Sequence, residues 1–205
     1  MRGGKPNKEG IFQTAFKTFL GADYGTVSIQ DIEDSGDFTR GALFYYAKTK
    51  PAIFSLAMEI GLFERMRKNE ELDAFVNQPK TLSDFLYFYS EWMEQPVKII
   101  MEAKACDRNE AVRLYLRLLT SADDVMPDFT ERFKASDDKI REAFYIIIAR
   151  AKKQRELLPT TDVEQLTNEF MLTAWGCYVN ASLRNGNMEA PIFHLLKIYF
   201  KYKKE

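Results

Sequence analysis

Ser-Ile-Gln-Asp-Ile-Glu-Asp-Ser-Gly-Asp-Phe-Thr-Arg-Gly-Ala-Leu-Phe-Tyr-Tyr-Ala-Lys-Thr-Lys, residues 28–50, decides the fold. Ser28 is a good N-cap, and Asp31 three residues on can return the hydrogen bond as in a capping box. Ile29 and Ile32 share one face of the short helix so started. It stops at Gly36-Asp37, residue types that tolerate a left-handed backbone. Thr39 caps a second helix that buries Leu43 and turns Arg40, Gly41, Phe44 and Tyr45 outward. Two short helices joined by a tight turn make a helix-turn-helix, whose second helix enters the major groove of DNA.

At these residues the chain resembles the TetR family of bacterial transcriptional regulators. The family pattern runs Ser/Thr-Ile-x-x-Ile-Ala-x-x-Ala-Gly-Val-Ser-x-Gly-x-Leu-Tyr-x-x-Phe-x-x-Lys. Ser28, Ile29, Ile32, Thr39, Gly41, Leu43 and Lys50 match it without gaps, with Phe38 as the apolar residue after the turn. Upstream, Ile11, Phe12, Ala15, Phe16, Phe19 and Leu20, then Tyr24-Gly25, are similar to the family's first helix and its exit. Four departures from the pattern stand out, one of them a pair of residues. Glu33 replaces Ala, Gly36-Asp37 replaces Ala-Gly, Phe44 replaces Tyr and so lacks a phosphate-binding hydroxyl, and Ala47 replaces an aromatic.

The resemblance implies an all-α protein with an N-terminal three-helix DNA-binding domain over 1–50 and a larger helical-bundle domain for ligand binding and dimerisation over 51–205. Laid residue by residue on this chain, it makes Arg40 the reader of a base edge, with guanine its expected partner. Gly41 permits close approach to the groove, and Tyr45 packs on sugar–phosphate or a thymine methyl. Ser28, Thr39, Tyr46 and Lys50 hold phosphates, Gln30 adds a polar contact, and Phe44 completes the set. The partners implied are a double-stranded DNA operator, a second copy of the chain and a small-molecule effector. A repressor fits better than an activator.

Composition agrees with that size of fold. The chain has 205 residues, and 46% hydrophobic with 14% aromatic residues can bury a substantial core. The densest apolar run, Phe144 to Ala149, is far too short to span a bilayer, so no membrane is expected. The N-terminal ten residues lack the apolar region of a secretory signal. Cys106 and Cys177 lie far apart with no CxxC, which reads as buried, reduced thiols in a cytoplasmic protein.

Charge is a weak signal. Residues 1–50 carry seven bases (Arg2, Lys5, Lys8, Lys17, Arg40, Lys48, Lys50) and six acids (Glu9, Asp23, Asp31, Glu33, Asp34, Asp37), a net +1. The whole chain is −1, so residues 51–205 carry −2. Phosphate neutralisation dominates DNA affinity, with log K falling by roughly 0.9 per contact per decade of salt. So few bases predict modest affinity and a shallow salt slope, both doubled in a dimer.

Past Lys50 the periodicity is helical nearly throughout. Thr49 caps a helix over about 50–68 with Pro51 in its first turn. A long helix over 81–105 is interrupted by Pro96, which frees the Trp92 carbonyl and predicts a kink. Shorter helices are expected at 108–120 and 127–134, then a longer one over 137–157. The last two, 162–185 and 189–203, are apolar on most of their circumference and so need cover on two faces. Val163, Leu166, Phe170, Ala174, Cys177 and Ala181 dock the first of them, while Met171, Leu172, Trp175, Tyr178 and Val179 extend round its other side. In the second, Phe193 and Phe200 oppose Ile192, Leu195, Leu196, Tyr199 and Tyr202. Leaving both stripes wet exceeds what a monomer tolerates, which predicts a two-fold dimer built on a four-helix bundle.

No catalytic site, metal-ligand spacing or phosphate loop is present, so neither an enzyme nor a cofactor is expected. Asp123-Asp124 and Asp137-Asp138 lie at predicted helix boundaries and read as capping residues. An effector pocket is the remaining expectation. Tyr89, Trp92 and Met93 lie near the bend, and Tyr115, Phe144, Tyr145, Trp175 and Tyr178 can reach the same space. Taken singly, each aromatic reads as ordinary core. Together they suit an apolar or aromatic ligand, although Arg113 and Arg117 leave an anion open. The rival reading is a helical small-molecule-binding or interaction protein whose helix-turn-helix no longer binds DNA tightly.

Overall fold

The computed structural model describes residues 7–66, 69–183 and 190–204. The described residues are helical and hold no strand beyond one isolated bridge between Leu157 and Lys203. In chain order the helices are α1 (Lys8–Gly21), α2 (Ile29–Asp34), α3 (Arg40–Tyr46), α4 (Lys50–Gly61), α5 (Asn69–Val76), α6 (Leu82–Lys104), α7 (Arg108–Val125), α8 (Phe129–Lys153), α9 (Val163–Leu183) and α10 (Pro191–Tyr202). A single 3₁₀ turn, Phe63–Arg65, follows α4. The chain divides into two compact units: one takes the chain up to Met66 together with Pro96–Phe129, the other the remainder.

In the first unit α1 packs along α4. Ile11, Phe12, Ala15, Phe16, Phe19 and Leu20 recur on one face of α1 and are all buried. They meet Ile53, Phe54 and Ala57 of α4, with Phe19 and Phe54 edge to face at 5.0 Å. The contact is close enough that a Cβ on Gly61 would lie 2.3 Å from the Phe16 ring. Only glycine fits there. Arg117 of α7 donates to the Leu20 carbonyl at 2.7 Å and pairs with Asp23 at 3.5 Å, satisfying an orphan acceptor at the end of α1.

The second unit is built on stacked aromatics. Phe75 of α5 lies on Phe88 of α6 at 4.5 Å, and Phe144 of α8 meets the edges of Phe85 and Tyr89 at 4.8 Å each. Phe170 of α9 stacks on the other side of Phe144 at 5.6 Å. Side chains then tie the helix ends. Arg150 donates to the carbonyls of Val76 and Gln78 after α5, at 2.6 and 2.8 Å. The Glu156 carboxylate accepts from the first N–H of α6, at Leu82, and from the Tyr199 hydroxyl of α10 at 2.9 Å.

Several expected elements change. The helix after Thr49 ends at Gly61 instead of continuing to 68, because the backbone tightens into the 3₁₀ turn once Gly61 is pinned on Phe16. Helix α5 was not expected from the sequence. The pieces expected at 127–134 and 137–157 are one helix, α8, so Asp137-Asp138 lie inside it and cap nothing. Asp123-Asp124 occupy the last turn of α7, where the exposed carbonyls disfavour acids, so dipole and capping do not explain them either. Helix α6, by contrast, keeps almost the expected span, Leu82–Lys104, with Pro96 inside it. In α9, Met171 and Tyr178 point into their own unit rather than outward. Cys106 and Cys177 are half-buried rather than buried. The expected end of the first of the last two helices, at Asn185 and Gly186, and the expected start of the second, at Glu189, lie outside the described residues.

Candidate nucleic-acid interface

Local chemistry builds the helix-turn-helix. Ser28 accepts from the Asp31 N–H at 3.1 Å, and Asp31 accepts from the Ser28 N–H at 2.7 Å, completing a capping box on α2. The Ser28 N–H foremost, and the Ser28 hydroxyl beside it, donate to the Asp31 carboxylate and hold it below its usual range. Thr39 caps α3 through the Ala42 N–H. Ile32 and Leu43 are fully buried beneath the two helices.

The turn is made differently from the sequence expectation. Among the described residues no glycine has a positive φ, so Gly36 is not there for a left-handed backbone. Instead a Cβ at Gly36 would lie 2.3 Å from the Phe38 ring, which folds back against the turn. Glycine is required by close approach, not by torsion.

The outward surface carries the residues expected to touch DNA. Arg40, Gly41, Tyr45 and Tyr46 are exposed and Phe44 is half-buried. Tyr45 and Tyr46 meet edge to face at 5.0 Å, and Tyr46 leans on buried Phe12. A Cβ on Gly41 would meet nothing closer than Thr39 Oγ1 at 3.7 Å, an ordinary contact. The protomer itself therefore has no need of glycine there.

Ser28, Gln30, Arg40 and Lys50 already have intramolecular partners. Ser28 Oγ also donates to Asp31 at 2.8 Å, and Gln30 donates to Asp34 at 2.8 Å. Lys50 Nζ donates to the Gly25 carbonyl at 3.4 Å and lies 4.3 Å from the centre of the Tyr24 ring. Arg40 Nε is 3.2 Å from Glu33 Oε2, an ion pair joining α3 to α2. Two of these partners, Glu33 and Tyr24, were not expected to act in the site. Glu33 stood out in the sequence only as an unusual acid on α2.

The residues expected to line an effector pocket fall into two groups. Tyr115 belongs to the first unit and is buried there, which pushes its hydroxyl pKa well above the usual tyrosine range. The others belong to the second unit. Tyr89 and Phe144 are in contact, Trp92 and Met93 are buried, and the Tyr178 hydroxyl donates to the Met93 carbonyl one residue beyond the Trp92 carbonyl expected to be freed. Trp175 is half-buried, 5.7 Å from the Phe133 ring, while Tyr145 is half exposed on the outer side of α8.

Helices α9 and α10 pack together and each keeps an outward apolar stripe. Leu172, Val179 and Leu183 recur with Gly176 on α9, and Phe193 and Phe200 stand out on α10, all exposed. Among the described residues no three His, Cys, Asp or Glu side chains cluster as metal ligands, and no helix is long and apolar enough to cross a membrane.

No protein-family model and no curated protein matches this chain significantly. Solved structures do. It is similar to a TetR-family transcriptional regulator from Cytophaga hutchinsonii, with a TM-score of 0.63 at 15% identity, covering 97% of this chain and 95% of that one. It is similar to the ketosteroid transcriptional regulator KstR2 of Mycobacterium tuberculosis, with a TM-score of 0.61 at 15% identity over 99% and 98% of the two chains. NalD of Pseudomonas aeruginosa, the secondary repressor of the MexAB-OprM multidrug efflux pump, matches with a TM-score of 0.59 at 18% identity over 95% and 94%. These neighbours are regulators rather than enzymes, and at such identities the likeness establishes the fold.

Proposed function

We propose that this chain, which has the fold of the TetR-family transcriptional regulators, is itself a DNA-binding regulator that works as a homodimer in the cytoplasm. One observation carries the reading: a capped, internally buried turn presents Arg40, Gly41 and Tyr45 outward on α3, with a glycine the protomer does not require. Arg40 reads a guanine, Gly41 lets the backbone approach the groove, and Tyr45 packs on the DNA. Ser28, Thr39, Tyr46 and Lys50 hold phosphates, Gln30 adds a polar contact, and Phe44 completes the set.

In this reading residues 1–50 read DNA and residues 51–205 bind effector and dimerise. The stripes of α9 and α10 are the dimer face, where Gly176 supports close helix approach: a Cβ there meets nothing in the protomer. The aromatics of the second unit favour a small apolar or aromatic effector. Binding that favours the wrong separation of the two reading helices by about 3 kcal/mol lowers operator affinity about 100-fold, which is release of a repressor.

A gel shift against the DNA upstream of the gene, at low salt, tests the reading. A discrete band competed by the same fragment and not by random DNA is the expected result. A second reading draws on the intramolecular engagement of Gln30, Arg40 and Lys50: a helical small-molecule-binding protein that no longer grips DNA. It predicts no competable band, with a co-purified small molecule still visible by native mass spectrometry.

A further inference from the structure

We propose that Glu33 is a positioning residue for base reading, holding the Nε edge of Arg40 so that the terminal Nη1/Nη2 edge is presented to one guanine. The inference rests on the DNA-reading function proposed above. Arg40 is the first residue of α3, and its side chain is 57% exposed. A long exposed side chain of this kind samples many rotamers, and that freedom must be surrendered to make a bidentate contact. Glu33 reaches from α2 with a side chain only 16% exposed, its Oε2 3.2 Å from Arg40 Nε. The anchor is therefore the sheltered partner and the reader the exposed one.

The edge that is held matters. A guanidinium offers two flat donor pairs, Nε with one terminal nitrogen, or the two terminal nitrogens together. With the carboxylate 3.2 Å from Nε, the ion pair sits beside the side-on edge and leaves the end-on pair for guanine O6 and N7. A carboxylate beside DNA also repels phosphates, so Glu33 lowers affinity for every sequence while sharpening choice at one position. That combination separates positioning from simple support of the fold.

The test uses the full-length chain with Glu33→Gln, Glu33→Ala, Arg40→Ala and the Glu33→Ala/Arg40→Ala double variant. Sites are selected from a randomised duplex pool, and single-base variants of the winning site are then titrated by fluorescence anisotropy at one salt concentration. The wild type is expected to prefer one guanine by about tenfold or more. Both Glu33 variants lose most of that preference at that position alone, and bind random DNA as well as the wild type or better. Arg40→Ala loses the same preference, and the double variant loses no more.

Thermal melts accompany each variant, and Glu33→Gln keeps the side-chain shape should Glu33→Ala disturb the turn. If both Glu33 variants keep the wild-type preference, sharpen it, or lose binding to all sequences alike, Glu33 does not position Arg40, though the DNA-reading function stands. A wild type that enriches no sequence over the random pool overturns that function, and the role of Glu33 with it.

Discussion

The outward face of α3 and the outward stripe of α9 are both exposed, and each has a glycine at its centre that the protomer does not need. Gly41 and Gly176 have open space or ordinary contact where a Cβ would stand, whereas Gly36 and Gly61 are forced by rings 2.3 Å from theirs. Around Gly41 the surface is mixed: a paired arginine, two tyrosines meeting edge to face and a capping hydroxyl. Around Gly176 it is apolar, with Leu172 and Leu183 at 73% and 80% exposure. The two faces thus ask for different partners. In the proposed function the first meets a charged, hydrated polymer read by hydrogen bonds, the second a helix with the same apolar stripe.

The sharpest way to break that comparison is Leu172→Glu. A charge buried in a helix–helix contact without a partner costs association at least about 3 kcal/mol, so sedimentation should show a monomer at concentrations where the wild type is a dimer. The melting temperature of the monomeric protomer should barely move, because Leu172 touches solvent there. An unchanged dimer would place the interface elsewhere.

The glycines come next. Gly176→Ala should stabilise α9 by about 0.5–1 kcal/mol through helix propensity while weakening the dimer. Gly41→Ala should leave protomer stability nearly unchanged and weaken DNA binding by about 1 kcal/mol, on the scale of one lost contact. Titrations read at two protein concentrations separate these effects. Equal binding by Gly41→Ala would show that no backbone approaches DNA at that point.

Acid separates the two faces more gently. Asp31 has a folded pKa below its ordinary 3.8, so its stabilisation of α2 is complete above that value and is lost as pH falls through the lowered one. Asp31→Asn should therefore flatten the loss of stability of the first unit below about pH 4, followed by circular dichroism, and leave dimerisation untouched. Smallest of all, Tyr145→Ala removes an exposed aromatic belonging to neither face. It should change stability by less than about 0.5 kcal/mol and alter neither association nor DNA binding.

How far the sequence was legible follows from how local each cause is. The caps of α2, α3 and α4 rest on a side chain and an N–H three residues apart, and Ser28, Thr39 and Thr49 all cap as their residue types require. The α8 break was misplaced for the same reason. Asp137 and Asp138 look like a start signal, but the helix runs through them: Phe129 is buried before the expected break and Ile140, Phe144, Ile147 and Ala151 after it, while residues 130–139 between them are exposed or half-buried. Helix α5 was invisible because it is short and polar. Its anchors are Leu72, the Phe75 ring on Phe88, and Arg150 from far along the chain.

The site divides in the same way. Which residues of α3 face outward could be read from the spacing around Leu43, since a single buried position sets the rotation of a short helix. That Glu33 would hold Arg40, that Lys50 would turn onto Tyr24, and that Gly36 would serve the Phe38 ring could not. Sequence alone determined the all-helical architecture and the helix-turn-helix with its outward residues, because caps and periodicity act within one or two turns. The tertiary structure decided helix lengths, the partner of each charged side chain and which apolar residues stay uncovered, because those depend on where distant segments come to rest.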